Sequence, residues 1–183
     1  MAINIYDIHI NPISKESFRC ISLTDESYKM HWIVQPKGYV PLEHIHLNQD
    51  EIFHIQSGEI RIVVEGKEII GRAGDTITVP KGAKHIAYNN SAEVLDAICE
   101  YRSALDMQKF EQVFLGLIND GYIDKKGSVI IPMMGYMLKK MKCRSMARPV
   151  SIPAPMFNVA LIFFYVLGGI KGWEKLYKKY TGD

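Results

Sequence analysis

The sequence predicts a mainly β protein, with a single antiparallel β-barrel domain over residues 1–102 and an α-helical C-terminal extension over residues 103–183. From about residue 18 to residue 101, short runs rich in Ile, Val, Thr and Tyr are separated by Gly, Pro and Asn-Asn. No helical pattern lies between these runs, as is typical of an antiparallel sandwich or barrel. After Tyr101, apolar residues recur at helical spacing instead.

Eight strands are predicted inside the barrel domain, bounded by turn residues. Ser57-Gly58 and Glu65-Gly66 lie between strand-like runs, where glycine readily adopts a positive φ. The predicted strands are residues 19–23, 29–35, 51–56, 59–65, 67–70, 76–79, 85–88 and 94–100.

Strand alternation predicts an apolar inner wall for the barrel. Phe53 and Ile55 share the face of Glu51, and Ile60, Ile62 and Val64 are expected to point inward as well. Such a wall suits a small-molecule ligand or substrate, although residues of this kind also form plain barrel core.

The extension is predicted to contain helices. Ser103 to Asp106 resembles a capping box, with a helical apolar pattern behind it that ends at Gly121. A second, methionine-rich stretch covers residues 132–141. A basic run follows, and then prolines 149, 153 and 155 interrupt the chain. The apolar segment 156–170 and a short amphipathic tail come last.

Charge and cysteine content indicate the environment of the protein. Residues 1–100 hold 14 acidic and 9 basic residues, whereas residues 101–183 hold 6 acidic and 13 basic residues. The two halves therefore face different partners or each other. Three scattered cysteines and an acidic residue, Asp7, near the start favour a cytoplasmic protein without a signal peptide.

Residues 149–170 carry no charge, and three interpretations of them stay open. The segment is long enough to cross a bilayer, but Pro153, Pro155 and Gly168-Gly169 leave only about 12–15 residues of uninterrupted helix, which is nearer to a buried helix. We therefore expect it to pack on the barrel or in a dimer interface, with peripheral membrane contact and a true span as the alternatives. No nucleic-acid-binding motif accompanies the basic run, and no nucleic acid partner is expected.

The most informative pattern is a set of three histidines and one glutamate. His44 and His46 are two residues apart, so on a strand both imidazoles point to one face, and Glu51 follows five residues later. His85 begins another predicted strand. Imidazole and carboxylate ligands suit a divalent transition metal, namely Mn, Fe, Ni, Zn, Co or Cu. No spacing connects His9, His31 or His54 to this set, and structural roles are expected for them.

The two segments that carry these residues resemble the paired motifs of the cupin superfamily. Residues 38–58 fit G(X)5HXH(X)4E(X)6G, and residues 74–89 fit G(X)5PXG(X)2H(X)3N, with every specified residue present. The resemblance implies a cupin or jelly-roll barrel with His44, His46, Glu51 and His85 as metal ligands at its mouth. It also implies a catalytic role for Glu51, as a proton acceptor, in dioxygenase-type members.

Two functions follow from the resemblance. The first is a metal-dependent enzyme, of oxygenase (dioxygenase) or isomerase type, that acts on a small organic substrate. The second is a non-catalytic module that senses a metal or small ligand and whose C-terminal helices dock to a partner or membrane surface. A storage or structural role is the third and least favoured interpretation for so short a chain. Exposed strand edges in an open barrel predict a homodimer.

Overall fold

The structure is a computed structural model that describes residues 2–145 and 147–183. Strands fill the first part of the chain and helices most of the remainder. In chain order they are β1 (His9–Asn11), β2 (Glu16–Leu23), β3 (Ser27–Val34), β4 (His44–His46), β5 (Asp50–Ser57), β6 (Glu59–Val64), β7 (Lys67–Arg72), β8 (Thr76–Val79), β9 (Lys84–Tyr88), β10 (Leu95–Arg102), α1 (Met107–Asn119), α2 (Ile131–Lys140), β11 (Ala147–Pro149), α3 (Ala154–Lys171) and α4 (Glu174–Thr181).

Two antiparallel sheets form the jelly-roll barrel that the sequence predicts. One sheet has the order β1-β2-β3-β10-β5-β8, and the other has the order β11-β4-β9-β6-β7. β10 lies inside its sheet and pairs with β3 on one side and with β5 on the other. Within the described residues the two sheets are not hydrogen-bonded into a closed ring.

The barrel core lies between the sheets and follows the strand alternation. In β3, Tyr28, Met30, Trp32 and Val34 are buried and the residues between them are half-buried. The inward orientation predicted for the apolar wall is confirmed, because Phe53, Ile55, Ile60 and Ile62 are buried in the same core and Val64 packs against it.

One motif glycine is required by close packing of the backbone. Gly58, between β5 and β6, has φ of 78°, a conformation that non-glycine residues rarely adopt. A Cβ atom there would also overlap the carbonyl oxygen of Val94. This turn therefore fixes how β5 leads into β6.

The helical extension packs against the barrel. Met107, Leu115 and Ile118 of α1 are part of the barrel core. The other side of α1 packs with α2 and α4 in a second apolar cluster, in which Met137 and Tyr180 are fully buried. The N-terminal segment joins this cluster, because the Ile3 amide donates a hydrogen bond to the Tyr180 carbonyl at 2.9 Å.

The expected start of the first helix is wrong by several residues. α1 begins at Met107, and Asp106 is its N-cap without a side-chain capping bond, so Ser103 caps nothing. The Asp106 carboxylate instead accepts a hydrogen bond from the Arg144 amide at 2.6 Å, and the Asp106 amide donates to Ser145 Oγ at 2.8 Å. These contacts tie the start of α1 to the segment after α2.

The apolar segment near the C-terminus forms a longer helix than expected. α3 has 18 residues, whereas an uninterrupted core of about 12–15 residues was predicted. Pro153 is the N-cap and Pro155 lies in the first turn, where a missing N–H removes no helical hydrogen bond. Gly168 and Gly169 continue the helix, which ends at Gly172 with a left-handed φ of 73°.

A short strand was missed by the sequence analysis. β11, in the extension, pairs with β4 so that Ala147 lies opposite His46 and Pro149 lies opposite His44. The tripeptide carries a proline and lies between basic and proline-rich stretches, so no alternation predicts a strand there. Its pairing brings the extension directly against the His44-Ile45-His46 segment.

Candidate metal centre

Strand pairing brings the four predicted ligands together at one end of the barrel. β4 pairs with β9 so that His44 lies opposite His85. His46 is two residues further along β4, and Glu51 comes from β5 in the other sheet. One ligand atom from each of the four side chains lies within 4.8 Å of the others.

The ligand atoms face one another. The Nε2 atoms of His44 and His46 are 3.1 Å apart. Glu51 Oε2 lies 2.8 Å from His85 Nε2 and 3.4 Å from His46 Nε2. Ligands about 2.1 Å from one shared ion have separations of this size.

Backbone carbonyls orient two of the imidazoles. His44 Nδ1 lies 2.9 Å from the Leu42 carbonyl, and His85 Nδ1 lies 3.1 Å from the Ala83 carbonyl. Because a carbonyl only accepts, each Nδ1 carries the hydrogen. The His44 Nε2 then keeps a lone pair that points into the cluster. The His85 Nε2 lies 2.8 Å from the Glu51 carboxylate and would have to lose the proton of this contact before it bound an ion. His46 Nδ1 is buried and, among the described residues, has no hydrogen-bond partner.

The electrostatics of the cluster favour a neutral His44 and an ionised Glu51, whereas the pKa of His85 is raised, in spite of its burial, by the hydrogen bond and charge of Glu51. Burial and the neighbouring His46 and His85 lower the pKa of His44 to about 3, so this imidazole is neutral. Burial raises the pKa of Glu51, but His46 and His85 outweigh it and bring this pKa well below its usual range. A neutral imidazole and an ionised carboxylate are the forms that bind metal. The group fits a divalent transition ion.

A tyrosine outside the four-residue set orients the carboxylate. Tyr101 on β10 lies opposite Glu51 on β5, and its hydroxyl donates to Glu51 Oε1 at 2.8 Å. This bond leaves Oε2 facing the three imidazoles. Burial, followed by the charge of Glu51, raises the pKa of Tyr101 well above its usual range, so the hydroxyl keeps its proton.

Comparison with known proteins agrees with this geometry. Residues 30–100 match the sequence model of the family described as Cupin domain. This match identifies residues 30–100 as a cupin domain. No curated protein sequence matches it.

The solved structures that resemble the chain are distant in sequence. A conserved protein with a double-stranded β-helix domain from Klebsiella pneumoniae is 20% identical, over 49% of this chain and 73% of its own, with a TM-score of 0.45. A cupin described as a sugar phosphate isomerase from Silicibacter pomeroyi is 19% identical, over 49% and 60%, with a TM-score of 0.45. KdgF from Halomonas sp. is 14% identical, over 59% and 96%, with a TM-score of 0.48.

The last residue of the cupin motif has a structural role. Asn89 is fully buried, and its amide donates to the carbonyl oxygens of Val34 and Glu93 at 2.8 Å each. It therefore anchors the chain after β9 and does not face the metal-binding cluster.

The three remaining histidines bond outside the cluster, in agreement with the structural roles expected for them. His54 contacts Glu100 at 3.1 Å, and His31 contacts Asp96 at 2.9 Å. His9 lies between the Asn4 carbonyl and the Asn119 side chain.

A cavity of about 170 Å³ lies beside the cluster and is mostly apolar. His44, His46 and Glu51 form part of its wall. The barrel contributes Phe18, Met30, Trp32 and Phe53, and the extension contributes Phe110, Phe114, Met134, Leu138, Phe157, Leu161 and Phe164. Phe53 was predicted to face a pocket, but the half of the wall that the extension supplies was not.

Proposed function

We propose that this cupin is a metal-dependent enzyme, of oxygenase or isomerase type, that acts on a small organic molecule held in the apolar cavity. The observation that carries the proposal is the shared wall, because three of the four clustered side chains also line the cavity. A molecule in the cavity therefore lies next to the cluster. His44, His46, Glu51 and His85 are the proposed metal ligands.

The chain's own residues would contribute binding and proton transfer. A divalent ion at the cluster supplies Lewis acidity or activation of dioxygen when it is bound. The aromatic and aliphatic cavity wall binds apolar surface and excludes water from the reacting group. Glu51 is the proposed catalytic residue, as a proton acceptor when its carboxylate is not held by an ion and the cluster no longer lowers its pKa.

Metal reconstitution tests this proposal. Purified protein is exposed to Mn, Fe, Co, Ni, Cu or Zn, and bound metal is measured by elemental analysis. The metal-loaded protein is then incubated with a panel of small phenols and cyclic alcohols. Oxygen consumption and chromatography of the products measure turnover. We expect about one ion per chain, and we expect His44→Ala and His85→Ala to lose metal and turnover while they keep the fold.

The matched control is His31→Ala, which removes an imidazole outside the cluster and is expected to retain metal and turnover. Failure of the wild-type protein to bind any of the six ions would falsify the metalloenzyme proposal. Metal binding without turnover of any panel member, together with ligand-dependent docking, would favour the sensing module.

A second candidate function, a ligand- or metal-sensing module that docks to a surface, is favoured by the outer face of α3. Met156, Val159, Phe163, Val166 and Ile170 are all more than half exposed, and their spacing places them on one helical face. The opposite face, with Phe157 and Leu161, is buried against the protein. A contiguous exposed apolar stripe marks an interaction surface.

We propose that this face contacts an anionic membrane surface without crossing the bilayer. The chain directly after the stripe carries exposed lysines 171, 175 and 178, which would face acidic headgroups. α3 has the length and composition of a span, but one such helix is weak evidence for spanning. We also propose a cytoplasmic location. Cysteines 20, 99 and 143 are all free and buried, and free thiols fit a reducing compartment.

Vesicle co-sedimentation tests the docking proposal. We expect the protein to sediment with phosphatidylglycerol-containing vesicles, and the double variant Phe163→Glu, Val166→Glu to stay in solution. The control, Ile8→Glu with Ile10→Glu, changes two isoleucines that are exposed at the other end of the chain. The alternative result is that, without vesicles, the wild-type protein is a homodimer and the α3 variant is a monomer. That result would mean that this face binds a second copy of the chain, and it would contradict membrane docking.

A further inference from the structure

Few polar side chains interrupt the apolar wall of the cavity away from the metal-binding cluster. They are Glu16, Glu111 and Ser128, together with the Tyr101 hydroxyl and the Trp32 indole N–H, which already donate to Glu51 and Glu16. Among the described residues, no lysine or arginine lines the cavity. A phosphate or carboxylate group would therefore find no cationic partner there, and a polyol would leave most of its hydroxyls without hydrogen bonds.

Glu16 is fully occupied by the protein itself. Ser14 Oγ donates to Glu16 Oε2 at 2.5 Å, and the Trp32 indole donates to Glu16 Oε1 at 3.0 Å. Burial raises the pKa of Glu16 to about 8 despite these bonds. This carboxyl is part of the barrel's internal hydrogen bonding and has little capacity left for a ligand.

Glu111 differs because it has no such partners. It lies on α1, is only 3% exposed and forms part of the cavity wall. Its Oε2 atom is buried, and no hydrogen-bond partner is found for it among the described residues. Buried polar atoms are nearly always paired, so an unpaired carboxyl oxygen at a cavity wall points to a ligand.

The environment of Glu111 determines which chemistry it offers. Burial, and then the charge of Glu51, raise the pKa of Glu111 to about 8, so its carboxyl is protonated at neutral pH. A protonated carboxyl both donates and accepts hydrogen bonds, and it matches an uncharged oxygen group. A ligand ammonium group would lose its hydration in this apolar cavity and gain only a neutral partner.

We propose that Glu111 anchors the ligand in this cavity, and that the ligand is an apolar molecule with an uncharged oxygen group, such as a phenol or an alcohol. The inference rests on the proposed function, because it takes the cavity beside the metal-binding cluster as the substrate site. The cavity volume of about 170 Å³ is similar to that of an engineered apolar cavity of about 150 Å³ that holds benzene. The ligand's apolar part is therefore about one ring in size.

An isosteric pair of probes tests the anchor. p-Cresol and p-xylene have the same shape and differ by a hydroxyl in place of a methyl group. Calorimetry gives the Kd of each probe with the wild-type protein, in metal-free and metal-loaded form. We expect both probes to bind, and we expect the ratio of the p-xylene Kd to the p-cresol Kd to fall about tenfold in Glu111→Leu.

Two further variants separate hydrogen bonding from changes of shape. Glu111→Gln keeps a hydrogen-bonding group and is expected to retain most of the wild-type ratio. Gln108→Leu replaces an exposed polar residue on the same helix and is expected to leave the ratio unchanged.

The outcomes distinguish this inference from the metalloenzyme proposal. An unchanged ratio in Glu111→Leu, or no binding of either probe, overturns the anchor whether or not the protein binds metal. A tenfold fall in the ratio in a protein that binds no metal supports the anchor and contradicts the metalloenzyme proposal alone.

Discussion

At the scale of single residues, the hydrogen bond from Tyr101 to Glu51 decides how the carboxylate meets the imidazoles. The Tyr101 hydroxyl holds Oε1, so that Oε2 faces His46 and His85. Partners of this kind fix the orientation of a metal ligand, and their loss typically costs about 10–100-fold in metal affinity. Tyr101 therefore belongs to the candidate site although it contributes no metal ligand.

We expect Tyr101→Phe to weaken metal binding about tenfold while the fold is kept, because only the hydroxyl is lost. Competition with a chromophoric chelator measures the affinity. Tyr88→Phe is the control, since Tyr88 lies on β9 away from Glu51 with its ring near Arg61. Equal affinities for Tyr101→Phe and the wild type would show that the hydrogen bond does not hold the carboxylate.

Glu111 predicts a pH dependence of stability. Its pKa is about 8 in the folded protein against an ordinary value of 4.5. The unfolded chain thus releases this proton at lower pH, and the contribution of Glu111 to stability is lost as pH rises from about 4.5 to 8. The titratable groups that interact with Glu111 through their charges are Glu51, Tyr28, Tyr101, Cys20 and Cys99.

We compare the free energy of unfolding of Glu111→Gln with that of the wild type at each pH. The difference should shift in favour of the variant by about 3–5 kcal/mol between pH 5 and pH 8, because the amide does not ionise. Urea unfolding at pH 5, 6, 7 and 8 measures the difference. Glu16 is present in both proteins, so its own contribution to the pH dependence cancels in the difference. A difference that stays constant with pH would mean that Glu111 is not held protonated by burial.

The residue scale also shows what the sequence predicts about a site. His44, His46, Glu51 and His85 follow from motif spacing, because the spacing sets the strand faces and the turns between them. Tyr101 lies fifty residues beyond Glu51, and only the pairing of β10 with β5 places the two opposite each other. No local pattern encodes that pairing. Glu111 was missed for a similar reason, since its neighbours depend on how α1 docks.

At the scale of elements, α3 shows how tertiary contacts override local signals for a helix break. Its two glycines have different surroundings. A Cβ atom at Gly168 would overlap the Tyr136 ring and lie 2.8 Å from the Trp173 ring, whereas a Cβ atom at Gly169 would meet nothing within 4 Å. Gly168 is therefore required where α3 crosses α2, and the helix continues because this contact stabilises it.

We expect Gly168→Ala to destabilise the protein by about 1–3 kcal/mol, because the new methyl group forces α3 away from Tyr136. The matched substitution Gly169→Ala should stabilise it by about 0.5–1 kcal/mol through helix propensity alone. Urea unfolding of both variants measures the two effects. Equal effects at the two positions would contradict the close packing of α3 on α2.

At the scale of the whole molecule, the barrel and the extension share a core and a cavity. Met107, Leu115 and Ile118 of α1 are at most 4% exposed and lie in the barrel core. The extension also supplies about half of the cavity wall, and β11 extends the sheet that carries the histidines. The predicted boundary between residues 102 and 103 separates a part made of strands from a part made of helices and the single strand β11. That it also separates two folding units is a prediction to test.

We expect residues 1–102 alone to lack a cooperative unfolding transition. Burial of one such side chain contributes about 1.5–3 kcal/mol, so loss of the three α1 residues removes about 5–9 kcal/mol. That is comparable to the whole stability of an ordinary domain, about 5–15 kcal/mol. Circular dichroism during urea titration measures the transition, and co-expression of residues 103–183 as a separate chain should restore it, because the contacts are non-covalent. Cooperative unfolding of residues 1–102 alone would instead make residue 102 the end of an independent domain and the extension an accessory to it.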